Sequence, residues 1–182
     1  DLGHSGDYHA AAVLRFYAIY RAMVRAKVAG IRSTQAPGGA TADMAGYLAL
    51  AGRLAHPGPA RLTITHGLAG CGKTVASTRW LQTDALAGTV RLRSDVERKR
   101  LFGLAPREHS GSATGQGIYA PDAHARTYAH LRDQAARLLQ SGWSVLVDAA
   151  FLRRSERDSF RQLAIAHAAH WSKIGRASCR ER

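Results

Sequence analysis

The chain has 182 residues, 46% of them hydrophobic, and a formal net charge of +13. That length suits one domain with a real core and some appended helices. No apolar run approaches the ~20 residues needed to cross a bilayer. No signal peptide is expected, since residue 1 is Asp and the first strongly apolar segment carries Arg15, Arg21, Arg25 and Lys27. Its cysteines, Cys71 and Cys179, form neither a disulfide framework nor a metal pattern. The expected compartment is the cytoplasm, with no membrane partner. The charge admits nucleic acid or other anionic partners, or simply an arginine-rich solvated surface.

In chain order, Val13, Phe16, Tyr17, Tyr20, Val24, Val28 and Ile31 recur at three- and four-residue spacing and predict a helix from about Tyr8 to Ile31. "STQAPGGATAD" breaks it as a linker. A short helix follows from about Ala42 to Ala55, closed by "HPGP". Arg61 to His66, "RLTITH", has strand alternation and β-branched residues. "GLAGCGKT" (Gly67–Thr74) comes directly after it, then a helix to about Ala87. "TVRLRSD" (Thr89–Asp95) reads as a second strand ending on an acid, with a short helix from Val96 to Phe102. Gly103 to Ala120 is a loop rich in Gly, Ser and Pro. Pro121 to Gln140 is a long helix with Pro in its first turn. "WSVLVDAAF" (Trp143–Phe151) is a third strand whose apolar run suits burial on both faces, and "RRSERDSFRQLAIAHAAH" is a final helix.

The last ten residues, Lys173 to Arg182, match an in-frame translation of a common short-read sequencing adapter and are set aside from fold reasoning; the alternative is a natural basic tail. Lys173, Arg176, Arg180 and Arg182 against Glu181 make that tail +3, leaving +10 for the rest. A start without Met and this tail suggest a fragment of a longer reading frame. The expected fold is α/β: a three-layer parallel sheet, truncated after the third strand, with preceding helices. A bare final edge would leave the sheet marginal.

The chemistry centres on "GLAGCGKT", which fits G-x-x-x-x-G-K-[ST] in its required strand–loop–helix setting. The backbone of Gly67, Leu68, Ala69, Gly70, Cys71 and Gly72 would fold into a nest of N–H groups around a β-phosphate, helped by the positive end of the following helix. Lys73 would reach the β- and γ-phosphates, and Thr74 would offer a hydroxyl to Mg²⁺. Asp148, ending "SVLVD", stands where an acid holds Mg²⁺ beside a phosphate loop, or is an ordinary strand-end carboxylate. Asp95 would approach the same phosphates from its own strand end and accept a proton from an acceptor hydroxyl. Arg98 would steady an anionic substrate or the transferring group; the plainer alternative is a capping Asp and a solvated Arg. One of Arg153, Arg154 and Arg157 would face the site. His66, His109, His124 and His130 lack metal-ligand spacing and suit solvent-facing or capping roles.

These motifs, "THGLAGCGKT…RLRSDVERKRLFG…GWSVLVDAAFLRRSERDSFRQLA", resemble the AAA-type, polynucleotide-kinase-like ATP-binding domain of bacterial bifunctional aminoglycoside phosphotransferase/ATP-binding proteins, over about Arg61 to Ala166. Leu14–Arg32 resembles the closing helix of the phosphotransferase-like domain preceding it. The resemblance implies a P-loop, kinase-like fold and a division into residues 1–35 (that helix), 36–60 (linker and short helix), 61–172 (an incomplete P-loop domain) and 173–182 (the tail). It implies ATP and Mg²⁺ as cofactors, Asp95 as general base, Arg98 as substrate contact, and an unidentified hydroxyl-bearing acceptor. Ala150 in "VDAAF" departs from an expected "VDATF" and removes a hydroxyl from the site. Alternatives are an ATP-binding regulatory or ATPase module and a basic nucleic-acid-binding module.

Overall fold

The structure is a computed structural model that describes residues 6–35, 40–68, 70–84, 88–105, 108, 118 and 120–175. It divides into two compact units, Asp1–Tyr8 with Pro59–Arg182, and His9–Gly58.

The smaller unit is a pair of packed helices, α1 (Ala11–Gln35) and α2 (Ala40–Ala55). The predicted helix is there, but its large apolar stripe is not what is buried. Ala22, Ala26 and Ala29 are buried on α1, whereas Val13, Phe16, Tyr17, Tyr20, Val24, Val28 and Ile31 are exposed. Close approach explains the choice of small residues. A Cβ added at Gly30 of α1 would stand 3.1 Å from Met44 Sδ of α2.

The larger unit is built on a parallel sheet of β1 (Arg61–His66), β2 (Thr89–Arg93), β3 (Ser144–Asp148) and β4 (His170–Gly175), in the order β2-β3-β1-β4. The intervening helices are α3 (Lys73–Gln82), α4 (Ser94–Leu101), α5 (Pro121–Gln140) and α6 (Arg154–Ala166). Leu62, Thr63, Ile64 and Thr65 of β1 and Val145, Leu146, Val147 and Asp148 of β3 are all buried, as expected for strands covered on both faces. Leu131, Ala135 and Leu138 of α5 and Phe160, Leu163 and Ala164 of α6 complete the core. Gly142, at φ 77°, closes α5 with Trp143 N–H donating back to Leu138 O at 3.0 Å.

Two boundaries differ from the sequence expectation. The sheet does not stop at three strands. Helix α6 ends at Ala166, the chain turns through Ala168 in the left-handed region (φ 49°), and His170–Gly175 pairs along β1 from Arg61↔His170 to His66↔Gly175. Thr63 and Ser172 share a 2.6 Å hydroxyl hydrogen bond across this pairing. The expected final helix through His170 is therefore shorter. The residue 172/173 boundary falls inside β4, and residues 176–182 lie outside the described residues. Second, β2 ends at Arg93, so Asp95 sits in the first turn of α4 rather than at a strand end. Among the described residues no helix is long and apolar enough to cross a membrane.

Candidate nucleotide-binding site

The carboxyl edge of the sheet gathers the predicted residues. The β1 strand ends at His66 and runs into Gly67–Thr74; β3, its hydrogen-bonded neighbour, ends at Asp148; and Arg93, just before α4, pairs with Asp148. Sheet order alone thus brings the loop, Asp148 and the start of α4 to one edge, where ligands of open parallel sheets bind.

Within the loop the backbone turns at Gly70 (φ 77°) and Gly72 (φ 80°), conformations costly for residues with a Cβ. No heavy atom lies within 4 Å of a Cβ built at Gly70, so backbone conformation rather than space calls for glycine there. Gly72 caps α3, and Ala76 N–H donates to its carbonyl at 3.0 Å. Leu68 and Thr74 are exposed and Cys71 is buried. Ala69 lies outside the described residues. The Lys73 ammonium reaches back over the loop, donating to Leu68 O, with Cys71 Sγ 3.9 Å away.

Asp148 is 6% exposed. Ser77, one helical turn beyond Thr74, points its hydroxyl at Asp148 Oδ2 (3.0 Å) and at Thr74 O (3.0 Å). Thr65 Oγ1 lies 3.4 Å from Asp148 Oδ1, donates to Ala149 O at 2.7 Å and accepts from Ala149 N–H at 3.0 Å. Arg91 of β2 donates to Ser77 Oγ at 3.3 Å and Thr78 Oγ1 at 2.9 Å. Ser77 thus ties α3 to β3, Arg91 ties it to β2, and Thr65 ties β1 to the exit of β3; none of the three stands out in the sequence. The available signals were Thr65 on a buried strand and Ser77 three residues after Thr74.

Asp95 is half-exposed and forms an ion pair with Lys99 at 3.4 Å. Arg98 stands near Tyr128. Burial pushes the Tyr128 phenol above its ordinary range, while the backbone N–H of Phe151 and the Arg98 charge pull it the other way. Of the three arginines after β3, Arg153 and Arg154 are exposed, and Arg157 is turned inward, donating to Phe151 O at 2.7 Å and Leu152 O at 2.9 Å.

Of the histidines expected in solvent-facing or capping roles, three are half-buried and paired. His66 Nδ1 donates to Phe151 O at 3.0 Å, His124 pairs with Glu156 at 2.7 Å, and His130 pairs with Glu97 at 3.1 Å. His109 lies outside the described residues. Glu97 is fully buried and also takes hydrogen bonds from Tyr8 Oη (2.7 Å) and Arg100. Burial pushes the Glu97 carboxyl up, but the hydrogen bonds from His130, Tyr8 and Arg100 outweigh it and hold the group below the ordinary glutamate value.

The residues fit a phosphate-and-metal ligand. Turned glycine backbone, a helix N-terminus, a flexible ammonium and an exposed threonine hydroxyl are donors and ligands of the kind a triphosphate takes, and the Asp148 carboxylate is linked to Thr74 O through the Ser77 hydroxyl. The match to known proteins agrees. Residues 62–182 match the sequence model of the family described as "AAA domain". Three uncharacterized mycobacterial proteins, two from Mycobacterium tuberculosis strains and one from Mycobacterium bovis, are each 31% identical over 160 residues. Those alignments take in 88% of this chain and 32% of each relative, so the chain spans about a third of the length of the curated relatives it matches. The relatives' names state no activity. The family match takes in well over half of the chain, and it spans the phosphate loop, α4 and β3; the chain belongs to the AAA domain family of P-loop nucleotide-binding proteins.

Proposed function

We propose that the α/β unit is an ATP-dependent phosphotransferase, moving the γ-phosphoryl group of Mg²⁺·ATP to a hydroxyl acceptor. One observation carries the reading: the phosphate loop and the buried Asp148 are joined through Ser77 at one sheet edge. Gly67–Gly72 would cradle the β-phosphate with backbone N–H groups, and Lys73 would neutralise charge on the β- and γ-phosphates. Thr74 and Asp148 would hold Mg²⁺, which when bound screens the phosphate oxygens as charge develops on them. Asp95, on the adjoining helix turn, would accept the acceptor's hydroxyl proton on a carboxylate oxygen. Arg98 would contact the acceptor. The reading fits a cytoplasmic setting, where ATP is abundant.

The test is transfer of label from γ-labelled ATP to a panel of nucleosides, polynucleotides and aminoglycosides. Label in an acceptor, dependent on Mg²⁺, supports the reading. ATP turnover with no labelled acceptor across the panel would instead favour a nucleotide-gated regulatory module. Tight, salt-dependent nucleic-acid binding without transfer would favour a basic binding module.

A further inference from the structure

The exit of β3 holds a residue in an unfavourable conformation at the border of the phosphate loop. Phe151 has φ 50°, a left-handed backbone that a bulky side chain avoids. It is fully buried, and both of its backbone polar groups are tied. Its N–H donates to Tyr128 Oη of α5 at 3.0 Å, and its carbonyl accepts from His66 Nδ1 at 3.0 Å and from Arg157 of α6 at 2.7 Å. Its ring sits edge-on between Tyr128 (5.2 Å between centroids) and Phe160 (4.9 Å). One residue earlier, Ala150 O accepts the N–H of Gly67, the first residue of the phosphate loop, at 3.1 Å. The turn is therefore held from α5 and α6 on one side and grips the end of β1 on the other. Such conformations persist where surrounding contacts over-determine them, and they concentrate at functional sites.

We propose that Tyr128 is a positioning residue for the phosphate loop. By accepting the Phe151 N–H it keeps the left-handed turn, and the turn presents the Ala150 and Phe151 carbonyls to Gly67 and His66, fixing where the loop begins. Neither Tyr128 nor Phe151 belongs to the phosphate-loop motif, and Tyr128 acts on the nucleotide only through the loop. This rests on reading Gly67–Thr74 as the nucleotide site.

The test is Tyr128→Phe in the full chain, which keeps the ring contacts and removes only the hydroxyl. Amide exchange is followed by NMR at Gly67, and at Leu131 and Val147 as core references. Affinity is measured for a fluorescent ATP analogue, mant-ATP, with Mg²⁺. The Gly67 amide should exchange about tenfold faster, as befits the loss of one buried hydrogen bond. Leu131 and Val147 should be unchanged, and mant-ATP should bind about fivefold more weakly. Unchanged Gly67 exchange overturns the proposal. So does equal acceleration at all three amides, which would mark a purely structural role, or selective loosening of Gly67 with undiminished mant-ATP affinity. Wild-type protein that binds no mant-ATP counts against the nucleotide reading, while the Gly67 comparison still decides whether Tyr128 holds the loop.

Discussion

Replacing Thr65 by valine removes one hydroxyl and almost nothing else. Thr65 is fully buried on β1, and its Oγ1 both donates to Ala149 O and accepts from Ala149 N–H. Valine fills the same volume, so no cavity opens, but both backbone groups of the buried Ala149 lose their side-chain partner. A buried donor or acceptor left unpaired costs about 1–3 kcal/mol. Removing the hydroxyl from the interior returns part of that, which leaves a net loss of about 2 kcal/mol. For a domain of this size the loss lowers Tm by about 6 °C. Thr65→Ser is the control. It keeps the hydroxyl and loses one buried methyl, about 1 kcal/mol. All three tryptophans, Trp80, Trp143 and Trp171, lie in the α/β unit, so urea unfolding followed by tryptophan fluorescence reports on that unit alone. Valine should be the more damaging change. A valine variant within about 0.5 kcal/mol of wild type, or more stable than the serine variant, would refute the claim that Thr65 joins β1 to the exit of β3.

Two further outcomes follow from the same geometry. The Glu97 carboxyl is held below its ordinary value when folded, so its contribution is fully present above the unfolded glutamate pKa of about 4.3 and is lost as pH falls through the lower folded value. Glu97→Gln should therefore flatten the fall in stability as pH drops below about 4.3, and an unchanged acid slope by urea titration would contradict this. Asp148→Asn keeps the size and the Ser77 contact but removes the charge. It should raise the Mg²⁺ concentration needed for half-maximal nucleotide affinity by about tenfold, and an unaltered Mg²⁺ titration would argue against a metal role.

What was legible in the sequence was local. The phosphate loop announces itself in eight successive residues, because its glycines, lysine and threonine all act within one strand–turn–helix segment. Asp148 was readable from the apolar run before it, since a strand buried on both faces has to end on something polar at the sheet edge. The remaining features depended on partners distant in sequence. Glu97 sits in the charged run "SDVERKR", where nothing local marks it for burial, yet it is buried, with Tyr8 separated from it by 89 positions and His130 by 33. Ser77 has no special spacing until β3 is laid beside α3. The fourth strand, His170–Gly175, straddles the stretch assigned to the final helix and the residues from Lys173 that match an adapter translation, so its pairing with β1 is visible only in the folded sheet. On α1 the period marked a helix, but close packing selected the alanines over the large apolar stripe.

If Gly67–Thr74 binds the phosphates of a nucleotide, Lys73 supplies the neutralising charge. Isothermal titration of Mg²⁺·ATP into the wild-type chain and into Lys73→Ala tests it most directly. Saturable binding by the wild type and a loss of at least about 100-fold in the variant are expected, because a charge-assisted contact to phosphate is removed. Equal affinity in the two proteins would contradict it.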